Sequence, residues 1–558
     1  MPASGASLNW KIRIGVSNNR YGSTGDDPPR LVKVLRPYGS VGHSLAACGM
    51  TKTFTVGAHK LTLAALRVFD AGGITIELRP EQRQAMARGR AVVENRMRAG
   101  DRIYGVNTGL GTLAERKISD ENVPELQRRL ILSNAAGTGP LMEDRDVRRM
   151  MLLKVCALAT GWSAARPELA ETLISLLNAG ITPCVPLKGS VGASGDLAPL
   201  AHMGAALIGV GDVRVAGRRL PARTALRSSG LAPFALAAKE GLSIVNGTQA
   251  STSLAVSGLS AGEAVFAAAL VAGSLSLEAA LGQDLAFDER LHRARGQRGQ
   301  IEVAAVYRKL LRGSTLRAIA HDNGRLQDPY CLRCQPQVMG AVFDQFAHAA
   351  RIIQNECNGW TDNPMVDPDT AEIVYGGNFH AEPLALAADN LALAIAETGA
   401  MAERRVAMLT DEHQSGLPAF LTGDSGIDSG FMVAQVTAAA LASENKSLAH
   451  PASVDSIPTT ANHEDFVSMA TFAARRLTDM ADNAAGIVAI ELLAACQGLE
   501  FRRPARSSRI LEKAYAAVRD RVPSYAEDRF LAPDIAVVKD LVQSGHFLSI
   551  MPANLRLG

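Results

Sequence analysis

The chain has 558 residues, of which 47% are hydrophobic and 20% charged, with a formal net charge of +3. It is long enough to bury a large core, and so small a net charge gives no electrostatic case for a nucleic-acid or membrane-surface partner. Seven cysteines at low density argue for reduced thiols in a cytoplasm rather than a disulfide framework.

Residues 1–49 are rich in Gly, Ser, Pro and Arg with little periodicity, and are read as a disordered extension or as sequence upstream of a true start at Met50. From Thr62 onward the pattern is helical. Ala, Leu, Glu and Arg with apolar residues three and four apart predict helices over 80–98, 143–159 and 167–179. Gly and Pro then punctuate 180–195 and 209–217, where Val213-Arg214-Val215 reads as the edge of a small hairpin. The apolar stretch 265–277 is too short to span a bilayer, which needs about 20 residues, and reads as a buried helix. Long Ala/Leu-rich segments recur from 250 to 500, so the expected fold is mainly α: an elongated helical bundle over 250–558, preceded by a smaller mixed region over 50–249. Glu403-Arg404-Arg405 and Arg502-Arg503 read as solvated surface. Cys331-x-x-Cys334 lacks the second pair or nearby histidines that zinc requires, so no metal is expected.

The most informative run is 189–204, Gly-Ser-Val-Gly-Ala-Ser-Gly-Asp-Leu-Ala-Pro-Leu-Ala-His-Met-Gly. If the chain bends tightly there, the amide nitrogen of Gly195 can attack the carbonyl carbon of Ala193. Loss of two waters then leaves a methylidene-imidazolone (MIO) ring, a strong electrophile of a kind that no ordinary side chain supplies. Gly189, Gly192 and Gly195 carry no Cβ to obstruct that approach, and Asp196 stands beside the ring to assist proton transfers. A phosphate loop would end in Gly-Lys-Ser/Thr, and a nucleophile elbow would place Gly two residues after the Ser; Lys188 precedes this run and Asp196 follows Ser194, so neither pattern fits.

Residues 188–202 closely resemble the signature of the aromatic amino acid ammonia-lyases, the histidine-type members most of all. Segments 104–109, 243–249, 327–337, 376–380 and 444–469 agree in the same order, and the resemblance runs from about residue 50 to the C-terminus. It implies a mainly helical homotetramer of the aromatic amino acid lyase type, with active sites drawn from three subunits, a small amino acid as substrate, and an MIO made from Ala193, Ser194 and Gly195 with no soluble cofactor. It further implies Tyr104 as the base that takes the β-proton, a role for which a phenol must be poised toward phenolate. Gly105, Gly109 and Gly111 suit a mobile loop around it. Arg333 would hold the substrate carboxylate as a planar bidentate donor. Asn246, Gln327 and Tyr330 would line the electrophile and the amino acid backbone. Phe379 would pack on substrate or ring, and His202 and His380 are read as structural.

The resemblance implies elimination of ammonia from L-histidine to give trans-urocanate, because Glu464 falls where histidine-type members set a carboxylate toward the imidazole. Four positions depart from that type: Leu110 for Phe, Asn134 for His, and His463 and Phe466 for Gln and His. Since one polar contact is worth about 1–3 kcal/mol, enough to change a substrate, a lyase for tyrosine or phenylalanine and an aminomutase that returns ammonia at the β-carbon stand as alternatives. A non-catalytic helical assembly protein ranks last, since Tyr104, Ser194, Asn246, Tyr330 and Arg333 are all present.

Overall fold

Three long helices define the molecule: Gln249–Ala279, Glu382–Thr410 and Ala470–Glu500. In the computed structural model, which describes residues 52–109, 111–552 and 555, the third packs along both others, as the bundle reading of 250–500 expects. The expectations for residues 1–49 and for Leu110 lie outside the described residues. Small residues set the helix spacing. A Cβ on Gly258 would come within 2.4 Å of the Leu477 Cβ, so Gly is what lets the 249–279 and 470–500 helices approach. Gln335–Cys357 and Met432–Leu448 flank this core, and Arg298–Leu311 packs on the former.

The sequence underestimates the first long helix. The apolar run 265–277 is the distal part of 31 residues, whose N-terminal half buries Ser251, Ser253 and Ser257. By length and hydropathy it could cross a membrane, yet 89% of its most apolar window is buried inside the bundle. The shorter expectations fare well. Helices run Pro80–Arg98, Asp144–Leu158 and Pro167–Asn178, two with proline in the first turn, where its missing N–H costs no intrahelical bond. Asp212–Val215 and Arg218–Pro221 form the anticipated hairpin, which Ile181–Pro183 extends to three strands.

Of two charged clusters read as solvated, Arg404 is exposed but its neighbours are not. Arg405 is fully buried and forks onto Glu491, Nη2 lying 2.8 Å from Oε2, while Ser276 donates to the same carboxylate at 2.7 Å. Glu403 is also buried. Arg502 reaches inward to donate to the Ala279 carbonyl at 2.9 Å, and Arg503 is a half-buried partner of Glu512. Local sequence shows charge but not which turn of a long helix faces its neighbour.

Removing one member of such a buried pair strands the other. Arg405→Met should therefore destabilise the protein by about 3–5 kcal/mol, read as a lower thermal unfolding midpoint at fixed scan rate. An unchanged midpoint would show that the pair contributes little.

Candidate active site

The glycine-rich run connects the strand Pro186–Lys188 to the helix Leu197–Leu207 and is gripped from several sides. The Gly192 carbonyl accepts from Ser468 Oγ at 2.7 Å and from the Ala381 amide at 3.2 Å, and the Met469 amide donates to Val191 O at 2.8 Å. Those donors stand at the N-termini of the 470–500 and 382–410 helices. The 249–279 helix takes part through Ser251, whose amide and hydroxyl donate to the fully buried Asp196 carboxylate at 2.7 and 2.6 Å; Thr471 and Ser190 donate to it as well, both at 2.9 Å. The run is thus ringed by helix N-termini, whose partial positive charge favours an anion. Four donors hold Asp196 beside the run, three on Oδ1 and one on Oδ2.

Close backbone contact explains the glycines. Gly195 has φ +83°, and a Cβ there would meet Gly247 N at 2.3 Å. Behind it the Asp196 amide donates to Gly247 O at 2.7 Å, locking the run against the turn that carries Asn246. From that turn the Asn246 carboxamide Nδ2 donates to the Ser194 carbonyl at 3.2 Å, while its Oδ1 is buried without a hydrogen-bond partner.

Over the run opens a cavity of about 790 Å³. It is lined by Ala193, Ser194, Asn246, Tyr104, Asn134, Phe379 and Glu464, so most of the residues singled out in sequence converge. The Ser194 hydroxyl donates to Glu464 Oε1, and the other carboxylate oxygen accepts from Thr459 and Thr460 at 2.6 and 2.8 Å. Burial works to raise the Glu464 pKa; hydrogen bonds from these three hydroxyls and the charge of His463 outweigh it, leaving the group below its ordinary value and ionised at neutral pH. Thr460, Ala461 and Asn462 all have positive φ, a costly turn that delivers Glu464 to the cavity.

Tyr104 points its hydroxyl at the Gly111 amide, which donates to it at 3.1 Å. The loop around it is more fixed than its glycines suggest. Asn107 is buried and bonds Ile103 and Asp101, Gln127 donates to Gly105 O at 3.0 Å, and Gly109 is needed because a Cβ would meet Leu113 O at 2.4 Å. Asn134 ends the helix Val123–Asn134 and spends Nδ2 on Leu130 O at 2.8 Å.

Gln327, Tyr330 and Arg333 do not line this cavity. Tyr330 is 69% exposed, with the Arg333 guanidinium 4.6 Å over its ring and Arg333 Nε buried without a hydrogen-bond partner. Conversely, sequence reasoning passed over cavity residues. His380, taken as structural, lines the wall, stacks on Phe466 at 6.1 Å and shares a hydrogen bond with its carbonyl at 3.1 Å; its place beside Phe379 was the available signal. Asn363, Tyr375 and Thr460 carried none. His202 is structural as read: it accepts from the Gly137 amide at 3.1 Å, and burial lowers its pKa, favouring the neutral ring.

Comparison with known proteins agrees with this geometry. The profile of the aromatic amino acid lyase family matches residues 61–520. A histidine ammonia-lyase of Aromatoleum aromaticum is 56% identical over 493 residues, 88% of this chain and 94% of the relative. Among solved structures, histidine ammonia-lyase from Trypanosoma cruzi superposes with a TM-score of 0.83 at 36% identity, covering 90% of this chain and 97% of the other. Tyrosine aminomutase from Streptomyces globisporus superposes with a TM-score of 0.83 at 36% identity, covering 89% and 98%.

Gly195→Ala would force a Cβ into the Gly247 backbone at a left-handed φ. It should pry the 189–195 run from the 246–248 turn, detected as faster proteolysis within the run and a lower thermal midpoint. Wild-type resistance would contradict the close approach.

Proposed function

The chain belongs to the aromatic amino acid lyase family, and from that premise we propose that it is an ammonia-lyase converting L-histidine to trans-urocanate and ammonia. The observation that carries the substrate is Glu464, a carboxylate in the cavity wall held on one oxygen by the Thr459 and Thr460 hydroxyls; its other oxygen is released when ring closure removes the Ser194 hydroxyl. An imidazole offers that carboxylate an N–H donor or a positive charge, which a phenyl ring does not. Histidine ammonia-lyases 54–56% identical over most of the chain support the same substrate.

Elimination must remove a barely acidic β-proton and expel a poor leaving group, so both ends need activation. The surroundings of Ala193-Ser194-Gly195 suit an MIO: Gly195 has no Cβ, and Asn246 already donates to the Ser194 carbonyl, which ring closure retains. Such a ring supplies the electrophile that captures the substrate and activates its amine. Asn246 then holds a donor where negative charge develops, and the helix N-termini around the run favour the same charge. Tyr104, oriented by the Gly111 amide, takes the β-proton. Phe379 packs against the substrate from the wall.

The substrate carboxylate needs a cation, and Arg333 is the one the sequence assigns. Its position outside this chain's cavity, beside an exposed Tyr330, supports a homotetramer in which Gln327, Tyr330 and Arg333 complete the site of a neighbouring subunit. The described cysteines are free thiols, in keeping with a cytoplasmic enzyme. A second reading, a lyase or aminomutase for another aromatic amino acid, is favoured by Asn134, which stands where histidine-type members carry His and whose two amide N–H groups go to Leu130 O and Ser133 Oγ.

Purified protein offered L-histidine, L-tyrosine and L-phenylalanine separately should release urocanate and ammonia from histidine alone, and Glu464→Gln should lower kcat/KM for histidine roughly ten- to a hundredfold. Turnover of tyrosine or phenylalanine with none of histidine would favour the second reading.

Subunit sharing has its own test. Co-assembled Tyr104→Phe and Arg333→Ala chains, each inactive alone, should regain part of the activity, because some mixed sites receive both wild-type groups. Co-expressed mixed tetramers as inactive as either variant alone would contradict it.

A further inference from the structure

Lys154 is a cation buried without a carboxylate partner among the described residues. It lies on the 144–158 helix at 1% exposure, and its amine donates to two main-chain carbonyls, Ser243 O at 3.1 Å and Asn246 O at 2.6 Å. Its neighbour Lys239 is paired conventionally, 2.8 Å from Asp362. Burial pulls the Lys154 pKa down to about 7; Asp362 and Asp196 oppose that fall, and Lys239 adds to it. Enclosing such a group costs more than enclosing a methionine of the same length, so its contacts invite a reason.

Helix closure is not that reason. The Ser243 amide bonds Lys239 O at 2.8 Å and the Asn246 amide bonds Leu242 O at 2.9 Å, so Glu240–Val245 is already formed. What Lys154 adds is a fixed orientation of the peptide planes at 243 and 246. Asn246 is the residue whose carboxamide stands on the Ser194 carbonyl, and the next residue, Gly247, backs Gly195. We propose that Lys154 is a positioning residue, clamping the Asn246 backbone from outside the cavity so that its carboxamide is held on the Ser194 carbonyl. An amine donates with or without its third proton, so the clamp persists through neutral pH.

This inference rests on the proposed reaction, and the two fail differently. Wild-type protein with neither near-ultraviolet ring absorbance nor histidine turnover would end the reaction proposal itself. Given an active wild type, Lys154→Met, which keeps length but removes the donor, should lower kcat roughly ten- to a hundredfold with KM nearly unchanged. In an Asn246→Ala background the same change should cost no further activity, because the two residues act as one unit. A kcat in Lys154→Met within about threefold of wild type, or an equal further loss in the Asn246→Ala background, would overturn the proposal. Should Lys154→Met not fold, Lys154→Gln, with a donor on a shorter stem, takes the same measurements: a lowered kcat at unchanged KM supports the clamp, and wild-type kcat overturns it.

Discussion

The site depends on two glycine turns pressed together. The 189–195 run and the 246–248 turn approach so closely that a single Cβ on Gly195 would fall 2.3 Å from a backbone nitrogen. That contact brings the Asn246 carboxamide onto the Ser194 carbonyl and ties Asp196 to the turn through its amide. Three long helices begin at this place, and their first residues hold the loop through Ser251, Ala381 and Ser468. The bundle is therefore the frame that holds the loop as well as the source of the hydrophobic core.

Beneath the cavity lies an unusually charged interior. Asp196, Lys154 and the Lys239–Asp362 pair are all buried, and Glu356, pushed up by burial despite a bond from Thr248, stands close to them. Each of these groups is met by hydroxyls, carbonyls or an opposite charge, which makes the interior costly to rearrange and stiff. Rigidity of that kind suits catalysis by donors set in advance around developing charge, because little has to reorganise during the reaction.

Much of this was legible in the chain, and the limits have physical causes. The 189–204 run announces itself because glycines and a serine at fixed offsets are what a ring closed from the backbone would need, wherever the rest of the chain lies. Tyr104, Asn246 and Glu464 followed from resemblance, and they meet in one cavity. Arg405 and Lys154 were not legible: each is a charge on the buried side of its helix, and Arg405 directly follows the exposed Arg404, so residue type alone does not tell the wet position from the dry one. His380 was read as structural although its neighbour Phe379 was assigned to the site, and both line the cavity. Arg333 was placed in the substrate site by motif, yet the chain keeps it outside the cavity, an outcome that the proposed sharing of sites between subunits would account for.

The most direct test of the backbone-made electrophile is the mass of the peptide containing residues 189–204 from purified wild-type protein, released by proteolysis under non-reducing, mild conditions. A mass two waters below the encoded sequence is the result expected from ring closure between Gly195 and Ala193 and loss of the Ser194 hydroxyl. A peptide of full encoded mass in protein that turns over its substrate would contradict it.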